Sequence, residues 1–598
     1  MPYFSVRTPQ AAIWRRFALE MAGLFGLSIL AIGISKLGHS FAFRWNTVFL
    51  VLCPVYFLYF LLRSVAGRAA SAAAALLCLA GLYAIHATKR ALTGMCLSWH
   101  DINTTSMALA LHYVSWKSIA AVAMLLGMLM LGIRGLSRRV PWDRRAKLRF
   151  TLPAAAITGA VALHPFLPDT PIALRSGMQA FLMKAGVVYR PLAATINVHR
   201  NGLFLHLVQT NQRVLPPLPS VAAAELPLPA APRGQPIPRH VFYILCESCW
   251  YDTGHFASAF EPLVQRGFVP LRGVSPSYGG GTVNAAFEML TGLPAHGALA
   301  GVVYQEYGEL FDKQARTIAR ALREKGYRTY AMHNYVQDFW KRSMIMPKFG
   351  FDRFIGLENM RYQSSKDTTY PTDDILFKTA LDALSAHPEA KAFFNLETVY
   401  MHGPYSESGP HDTGDYLPRL RETITEIATF VDTVQRISQD YLIVVYGDHK
   451  PALTPYFYSE GILPPEAFSR TGAVNTEFTF RPEPPQEIVG DTPVLVLSSR
   501  GDSAMLRQAG NGQPLYCIAA YLDRQWLGLQ LDTSAYMLQH VCKDYHAGDY
   551  WTAARTPPAN LYTQTLFAYR LRRQALSMPP QLAVAGPSLT RVSPQWLE

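Results

Sequence analysis

The pattern of apolar residues divides this chain of 598 residues into two parts. A helix that crosses a bilayer requires about 20 consecutive, mainly apolar residues. Five segments near the N-terminus approach that length, at 17–35, 47–62, 69–85, 119–133 and 150–167. We therefore predict an α-helical membrane domain of about five transmembrane helices over residues 1–167.

The basic residues of this region predict its orientation, because Lys and Arg are enriched in cytoplasmic loops. The N-terminal segment carries Arg7, Arg15 and Arg16, and residues 134–149 carry seven basic residues against one acid, Asp143. With both segments inside, five spans place everything after residue 167 outside the cytoplasm. We therefore predict a multi-pass protein of the plasma (inner) membrane with an extracytoplasmic domain, which is periplasmic in a Gram-negative source.

The formal net charge of +13 does not indicate a nucleic-acid partner. Much of the basic excess lies in the segments that are predicted to face the cytoplasm. The rest of the sequence has no basic patch interleaved with aromatic residues and no nucleic-acid-binding motif. The membrane is therefore the predicted partner, and nucleic acid is excluded.

After the membrane region, short apolar runs alternate between the strand and helix periods. Residues 168–238 form a connector that ends in a Pro/Ala-rich linker, and the tail 553–598 is Pro-rich. Within the domain 239–552, strand-like runs fall at 241–245, 329–332, 392–396, 442–446, 492–497 and 515–520, and helix-like runs at 285–290, 312–324, 374–384 and 416–438. Such alternation predicts an α/β fold with a mostly parallel central sheet and helices on both faces.

Candidate chemistry collects where the predicted strands end. Glu247, His333 and the pair Asp448–His449 each close or follow a strand, and Thr282 follows three consecutive glycines. In parallel sheets ligands bind beyond the carboxyl ends of the strands, and glycines let backbone N–H groups face an anion. An acid, a hydroxyl and an Asp-His pair at one edge suggest a hydroxyl nucleophile activated by Mn²⁺, Zn²⁺ or Mg²⁺.

Each of these residues also has a plain structural interpretation. A threonine after a glycine turn is typical of a helix N-cap, which is the favoured interpretation of Thr282 in isolation. The Asp448–His449 pair is equally typical of a hydrogen-bonded turn, and Glu247 of a cap or an exposed acid. The functional interpretation depends on their convergence at one place.

A second group of polar and aromatic residues follows the predicted strands 329–332 and 392–396. Arg342 is suited to grip a phosphate, Trp340 to wall a small alcohol pocket, and His333 and His402 to carry protons. The alternatives are a solvated arginine, a packed tryptophan and satisfied core histidines.

Four of the seven cysteines lie in the predicted extracytoplasmic part, where disulfides are compatible with the environment. Cys246 and Cys249 bracket Glu247 in a CxxC pattern. A redox-active or metal-binding pair remains open there, but a buried pair or a disulfide is favoured, because no second CxxC completes a zinc site. Cys517 and Cys542 are a candidate pair, although connectivity cannot be derived from sequence.

The exported domain resembles the lipoteichoic acid synthase and phosphoglycerol transferase family of the alkaline phosphatase/sulfatase superfamily. Five motifs carry the resemblance in matching order and spacing: CESCW at 246–250, GGGTVNAAFEMLTGLP at 279–294, HNYVQDFWKRSMIMPKFGFDRF at 333–354, MHGPY at 401–405 and YGDHK at 446–450. The resemblance implies a sulfatase-like (alkaline phosphatase-like) domain. It also implies that Glu247, Thr282, Asp448 and His449 hold one divalent ion, usually Mn²⁺, with Thr282 as the nucleophile.

The resemblance further implies that four residues surround the transferred headgroup: His333, Trp340, Arg342 and His402. Two positions depart from the family pattern. Tyr335 stands where lipoteichoic acid synthases carry an acid, and Leu453 stands where they carry a hydroxyl residue. Both positions contact the glycerol in the family, so the headgroup pocket is expected to differ from that of lipoteichoic acid synthases.

The sequence thus predicts a phosphoglycerol transferase that moves glycerophosphate from phosphatidylglycerol to an envelope glycan or polymer through a threonine intermediate. The alternatives are phosphoethanolamine transfer or phosphodiester hydrolysis on the same scaffold, and a non-catalytic membrane protein that binds glycans. Sulfatase activity is disfavoured, because neither Cys246 nor Thr282 lies in the C/S-x-P-x-R context in which formylglycine forms.

Overall fold

The computed structural model describes residues 236–566 apart from short gaps, of which 471–477 and 502–506 are the longest before residue 557. Upstream it describes mainly residues 22–26, 55–63, 68–93, 96–98 and 202–211. The domain predicted over 239–552 is therefore described almost completely, and residues 1–167 only in part.

In the part of the membrane region that the structure describes, one helix is long and apolar enough to cross a bilayer. This is α1, Arg68–Thr93, with its apolar window at Ala70–Ala87. The third predicted span, 69–85, is thus helical, but the helix continues to Thr93 instead of ending before a loop at residue 86. The span 119–133 lies outside the described residues, and the spans 17–35, 47–62 and 150–167 are described only in part, so the five-span arrangement stays a prediction.

The connector contributes α2, Leu203–Asn211. The described α-helices after residue 239 are, in chain order, α3 Ala257–Val264, α4 Thr282–Thr291, α5 Val303–Tyr307, α6 Ile318–Glu324, α7 Arg342–Lys348, α8 Asp374–Ser385, α9 Tyr416–Ile437, α10 Thr454–Ser459, α11 Gln486–Val489, α12 Leu515–Leu522, α13 Asp532–Met537 and α14 Tyr550–Ala553. The strands are β1 His240–Cys246, β2 Val269–Val274, β3 Arg328–His333, β4 Arg353–Ile355, β5 Ala392–Glu397, β6 Tyr441–Gly447, β7 Phe468–Arg470, β8 Phe478–Phe480, β9 Asp491–Ser498 and β10 Gln513–Pro514.

Eight strands form one sheet in the order β10-β2-β9-β6-β1-β5-β3-β4, and β7 pairs with β8 separately. All neighbours in the large sheet are parallel except β9, which runs antiparallel to both β2 and β6. The predicted mostly parallel α/β sheet is confirmed. Because β6, β1, β5 and β3 are adjacent and parallel, their carboxyl ends lie along one edge.

The central strand β1 shows why both faces of the sheet are covered. Val241, Tyr243 and Leu245 pack into one apolar core, while Phe242 and Ile244 pack into the other. A strand that is buried on both faces reads as a continuous apolar run, which is typical of parallel sheets under helices. The domain therefore has two cores, one on each side of the sheet.

Two predicted elements are corrected. The run 515–520 is helical, as part of α12, and not a strand; a short continuous apolar run has no period that separates the two. The predicted helix 312–324 begins only at Ile318, because the Thr317 hydroxyl caps it by accepting the Arg320 N–H at 3.2 Å. The strand β2 has no counterpart in the prediction, since its Pro and Gly obscure the strand pattern.

Candidate active site

Thr282 is the first residue of α4, and its hydroxyl does not cap the helix. The N-cap is Gly281, at φ +83°, and no side chain bonds the helix start. The Thr282 hydroxyl instead donates to Glu247 Oε2 at 2.9 Å, and its side chain is buried. The N-cap interpretation of Thr282 is therefore wrong, and the hydroxyl is oriented by an acid at the end of β1.

Asp448 and His449 follow the last residue of β6 and turn toward the same point. Asp448 Oδ2 lies 3.0 Å from His449 Nε2, which lies 3.6 Å from Glu247 Oε1. One ligand atom from each of the three residues lies within 4.8 Å of the others. The bend after the strand thus aims two neighbouring side chains at one position.

The free atoms of this cluster fit a divalent cation. His449 Nδ1 donates to the Lys450 carbonyl at 2.9 Å, which leaves a lone pair on Nε2. Asp448 Oδ1 accepts the Ser248 N–H at 2.7 Å, which leaves Oδ2. Both remaining atoms are buried without a hydrogen-bond partner among the described residues. Buried polar atoms of this kind require a partner, and carboxylate oxygens with one imidazole suit Mn²⁺, Mg²⁺ or Zn²⁺.

The charges within the cluster also favour a cation. Burial, followed by the charge of Glu247, raises the pKa of Asp448 well above its usual value. Burial would likewise raise the pKa of Glu247, but the His402 and His449 rings and the Thr282 hydroxyl lower it instead. Two buried carboxylates so close together repel each other, and a bound cation would compensate both.

His333 ends β3 beside Glu397, its register partner on β5. Its Nδ1 donates to the Glu397 carbonyl at 2.9 Å, while Nε2 is buried without a partner among the described residues. Burial and the charge of Arg342 hold the pKa of His333 well below its usual value. His333 is therefore a neutral imidazole whose Nε2 accepts hydrogen bonds.

Arg342 is buried, which excludes the solvated interpretation. Its Nε donates to Glu397 Oε2 at 2.6 Å, and both side chains are 1% exposed. Glu397 Oε1 accepts the Asn395 amide at 2.9 Å. The sequence places Glu397 at a strand end without a role; the structure makes it the partner of Arg342 and the backbone acceptor for His333.

The His402 ring lies close enough to Glu247, His449 and His333 to influence the pKa of each. Its centroid lies 4.6 Å from that of Tyr370, and the residue is half-buried.

Trp340 is partly buried against one apolar core and has a left-handed backbone conformation, at φ +59°, that is unusual for a bulky residue. Its ring centroid lies 5.2 Å from that of Phe339, whose carbonyl accepts a bond from Arg342 at 3.2 Å. Such outliers persist where the surroundings fix them, often at functional sites. Trp340 therefore contacts Phe339, the residue whose carbonyl accepts the hydrogen bond from Arg342.

The structure shows what surrounds Tyr335 and Leu453, the two positions that depart from the family pattern. The Tyr335 ring lies 6.3 Å from His333 and 5.5 Å from Tyr370, so aromatic surface replaces an acid there. Leu453 is buried, and the neighbouring Thr454 hydroxyl bonds the Tyr278 hydroxyl at 2.9 Å. An adjacent hydroxyl therefore does not simply replace the missing one.

Asp373 is a site residue that the sequence does not reveal. Its carboxylate accepts the N–H groups of Val399 and Tyr400, at 3.0 and 3.2 Å, and the Asn334 amide at 2.9 Å. It thereby joins the loop before His402 to the residue after His333. Because it precedes α8, the sequence pattern is that of an ordinary helix start.

Both cysteine pairs of the domain form disulfides, Cys246–Cys249 and Cys517–Cys542. The disulfide alternative is therefore the observed one for the CxxC pair, and the Cys517–Cys542 pairing is confirmed. Two disulfides suit an oxidising compartment.

Comparison with known proteins agrees with this architecture. The family model described as Sulfatase matches residues 240–500. A Rhizobium meliloti (strain 1021) protein named for cyclic beta-1,2-glucan modification is 26% identical over 326 residues, 48% of this chain and 48% of that protein. The capsular polysaccharide biosynthesis protein RkpI of the same organism is 27% identical over 142 residues, 23% of this chain and 26% of that protein. The match thus spans about half of the first relative and a quarter of the second.

Two solved structures are also similar to part of this chain. The phosphoglycerol transferase GacH of Streptococcus pyogenes, in complex with sn-glycerol-1-phosphate, is 18% identical with a TM-score of 0.40, covering 55% of this chain and 85% of that one. The lipoteichoic acid synthase LtaP of Listeria monocytogenes is 18% identical with a TM-score of 0.37, covering 50% and 75%. Residues 240–500, which include most of the strands of the large sheet, are thus similar to the Sulfatase family.

Proposed function

We propose that this protein is a membrane-anchored phosphoglycerol transferase. It moves glycerophosphate from phosphatidylglycerol to an envelope glycan or polymer through a covalent intermediate on Thr282. The observation that carries the proposal is the buried Thr282 hydroxyl, bonded to Glu247 beside the free Asp448 Oδ2 and His449 Nε2. Glu247, Thr282, Asp448 and His449 would hold one divalent ion, for which Mn²⁺ is the first candidate and Mg²⁺ or Zn²⁺ the others.

In the first step, the Thr282 oxygen attacks the phosphorus of the lipid phosphodiester. Bound at this cluster, a divalent cation lowers the pKa of a hydroxyl and neutralises phosphate charge. The Thr282 proton points to Glu247 Oε2, 2.9 Å away. The Thr282 Oγ1–P bond forms, the bond from phosphorus to the diacylglycerol oxygen breaks, and diacylglycerol leaves with a proton.

In the second step, an acceptor hydroxyl attacks the same phosphorus, the Thr282 Oγ1–P bond breaks, and the Thr282 oxygen regains a proton, which restores its hydroxyl. The free Nε2 of neutral His333, or the half-buried His402 beside it, takes the proton of the acceptor. Arg342 and Trp340 hold the headgroup. The Glu397 carboxylate fixes the Arg342 guanidinium, so that its remaining N–H groups are positioned for phosphate.

Two observations support the acceptor and the location. The Rhizobium meliloti relatives are named for glucan modification and capsular polysaccharide biosynthesis, which supports a glycan acceptor. Two disulfides in the domain support an extracytoplasmic, oxidising location, and α1 supports membrane attachment. Attachment to the membrane would raise the local concentration of a lipid donor.

A headgroup-transfer assay tests the function. Full-length protein is given vesicles with radiolabelled phosphatidylglycerol or phosphatidylethanolamine and a glycan acceptor. We expect label transfer from phosphatidylglycerol only, abolished by EDTA and reduced about a thousandfold or more by Thr282→Ala, because the nucleophile is lost. Thr291→Ala removes a buried hydroxyl at the other end of α4, which bonds Phe287, and should transfer normally.

The assay also decides the alternative. Tyr335 and Leu453 alter the surroundings of the headgroup, which favours phosphoethanolamine transfer as the second candidate, with phosphodiester hydrolysis as a side reaction. Label moving only from phosphatidylethanolamine would establish that candidate and reject the phosphoglycerol donor. Thr282→Ala behaving like Thr291→Ala would reject the threonine mechanism for either donor.

A further inference from the structure

We infer that the Cys246–Cys249 disulfide and the Ser248 inside it position the metal-binding carboxylates. The segment from Cys246 to Cys249 is called here the disulfide loop. The inference rests on the proposed function, because it assumes that Glu247, Asp448 and His449 bind a cation. It assigns to the loop a role in metal affinity.

The disulfide loop is a tight, buried turn at the end of β1. Its backbone closes through the Cys249 N–H, which donates to the Cys246 carbonyl at 3.2 Å. Both cysteines are fully buried, and Glu247 and Ser248 are the two residues between them. A metal ligand is thus held inside a covalently closed ring of four residues.

Ser248 touches both carboxylates of the metal-binding cluster. Its backbone N–H donates to Asp448 Oδ1 at 2.7 Å, and its hydroxyl donates to Glu247 Oε1 at 3.0 Å. These bonds fix the rotation of the two carboxylates and leave Asp448 Oδ2 beside His449 Nε2. Hydrogen bonds from outside the ligand set orient ligands in this way at many metal sites.

The Ser248 backbone needs an external restraint. Its φ of +53° lies in the left-handed region, which is unfavourable for a residue with a Cβ other than Asn or Asp. The disulfide supplies that restraint, because it limits the dihedral angles of the residues that it encloses. Without it, Ser248 would relax toward negative φ, and its N–H would turn away from Asp448.

The rest of the loop is anchored from both sides. The Glu247 N–H donates to the Thr398 hydroxyl at 2.9 Å, on the β5 side. On the β6 side, a Cβ added at Gly447 would lie 2.3 Å from the Cys249 carbonyl oxygen. The loop therefore fits closely between its neighbours, and the disulfide keeps it in that shape.

Metal titration of the full-length protein tests the inference. Protein in detergent is stripped with EDTA and titrated with Mn²⁺ by calorimetry. The double variant Cys246→Ala/Cys249→Ala should bind Mn²⁺ about 10- to 100-fold more weakly, the usual effect of losing an outer partner of metal ligands. The control Cys517→Ala/Cys542→Ala removes the other buried disulfide, which touches none of the ligands, and should stay within about twofold of wild type.

A second variant separates positioning from folding. Ser248→Ala keeps the disulfide and the backbone N–H but removes the hydroxyl bond to Glu247, so a smaller loss of Mn²⁺ affinity is expected. Circular dichroism and the unfolding temperature check each variant. If the first double variant does not fold, Ser248→Ala decides: weaker binding supports the inference, and unchanged binding rejects it.

The outcomes distinguish the inference from the function. Wild-type protein that binds no divalent ion would reject both. Wild-type binding with equal affinity in the Cys246/Cys249 and Cys517/Cys542 double variants would reject the positioning role and leave the proposed function standing. Loss only in the former, with Ser248→Ala between it and wild type, supports the inference.

Discussion

At the scale of single residues, the site consists of buried polar groups that orient one another through hydrogen bonds. The Thr282 hydroxyl bonds Glu247, and His333 and His449 each donate through Nδ1 to a carbonyl. Both rings therefore present an unprotonated Nε2. The atoms left without a partner among the described residues include those that would meet a cation or a substrate. Unsatisfied atoms that converge are a stronger sign of a ligand than any one residue type.

The Arg342–Glu397 ion pair gives a prediction for stability. Glu397→Ala leaves the guanidinium of Arg342 buried without its counter-charge, so the free energy of unfolding should fall by about 3–5 kcal/mol. The matched control is Glu389→Ala, which breaks a pair with Arg239 in which Glu389 is 87% exposed, and should cost about 1 kcal/mol or less. Chemical denaturation of the full-length protein in detergent measures both. Equal, small losses would contradict the burial argument.

At the scale of elements, the order of the strands in the sheet determines the order in which the site residues lie along its edge. Reading across the sheet, β6 leads to Asp448 and His449, β1 to Glu247, β5 to the loop of His402, and β3 ends at His333. The sequence predicts these four strands and their parallel direction from apolar runs. It does not predict their order, because strand order depends on pairings between segments up to about 200 residues apart, for which a local pattern has no signal.

The contact between β6 and the disulfide loop gives a second prediction. Gly447 has no room for a Cβ, which would lie 2.3 Å from the Cys249 oxygen and 2.5 Å from the Thr492 hydroxyl. Gly447→Ala should therefore lower the free energy of unfolding by about 1–3 kcal/mol and weaken Mn²⁺ binding, since it pushes Glu247 away from Asp448. Gly409→Ala, with nothing within 4 Å, should change stability by no more than about 0.5 kcal/mol. A stable Gly447→Ala protein with normal Mn²⁺ affinity would contradict this packing.

The start of α8 and the middle of α9 give a pH-dependent prediction. Burial, followed by the charges of Asp373, Asp374 and Glu422, raises the pKa of Glu426 to about 9. Between its ordinary pKa near 4.5 and 9, the folded state keeps a proton that the unfolded state has released. The contribution of Glu426 to the free energy of unfolding is therefore fully present below about pH 4.5 and is lost as the pH rises toward 9.

The variant Glu426→Gln cannot ionise, so it removes this loss. In chemical denaturation, the free energy of unfolding of Glu426→Gln minus that of wild type should therefore become more positive from pH 5 to pH 8. Partial exposure of Glu426 reduces the size of the effect but not its sign. A Glu426→Gln effect that is the same at pH 5 and pH 8 would show that Glu426 is ionised in the folded protein.

At the scale of the whole molecule, apolar periodicity predicts the five adjacent strands β9, β6, β1, β5 and β3 at the centre of the large sheet. It separates the membrane region from the domain, and it predicts the strands whose ends carry Glu247, His333 and Asp448. It fails at 515–520, where a buried helix and a buried strand have the same composition, and it gives no sign of Asp373 or Ser248. The functions of those two residues lie in backbone contacts with distant segments. Such contacts exist only once the chain is folded, so no local pattern reveals them.

The central claim is that Thr282 carries the transferred group. The most direct test is mass spectrometry of the Thr282 peptide after full-length protein meets phosphatidylglycerol vesicles with Mn²⁺ and no acceptor and is quenched in acid. The predicted result is a glycerophosphoryl adduct on Thr282, absent after EDTA and absent in Thr282→Ala. An unmodified Thr282 in protein that still transfers the headgroup would contradict the covalent mechanism.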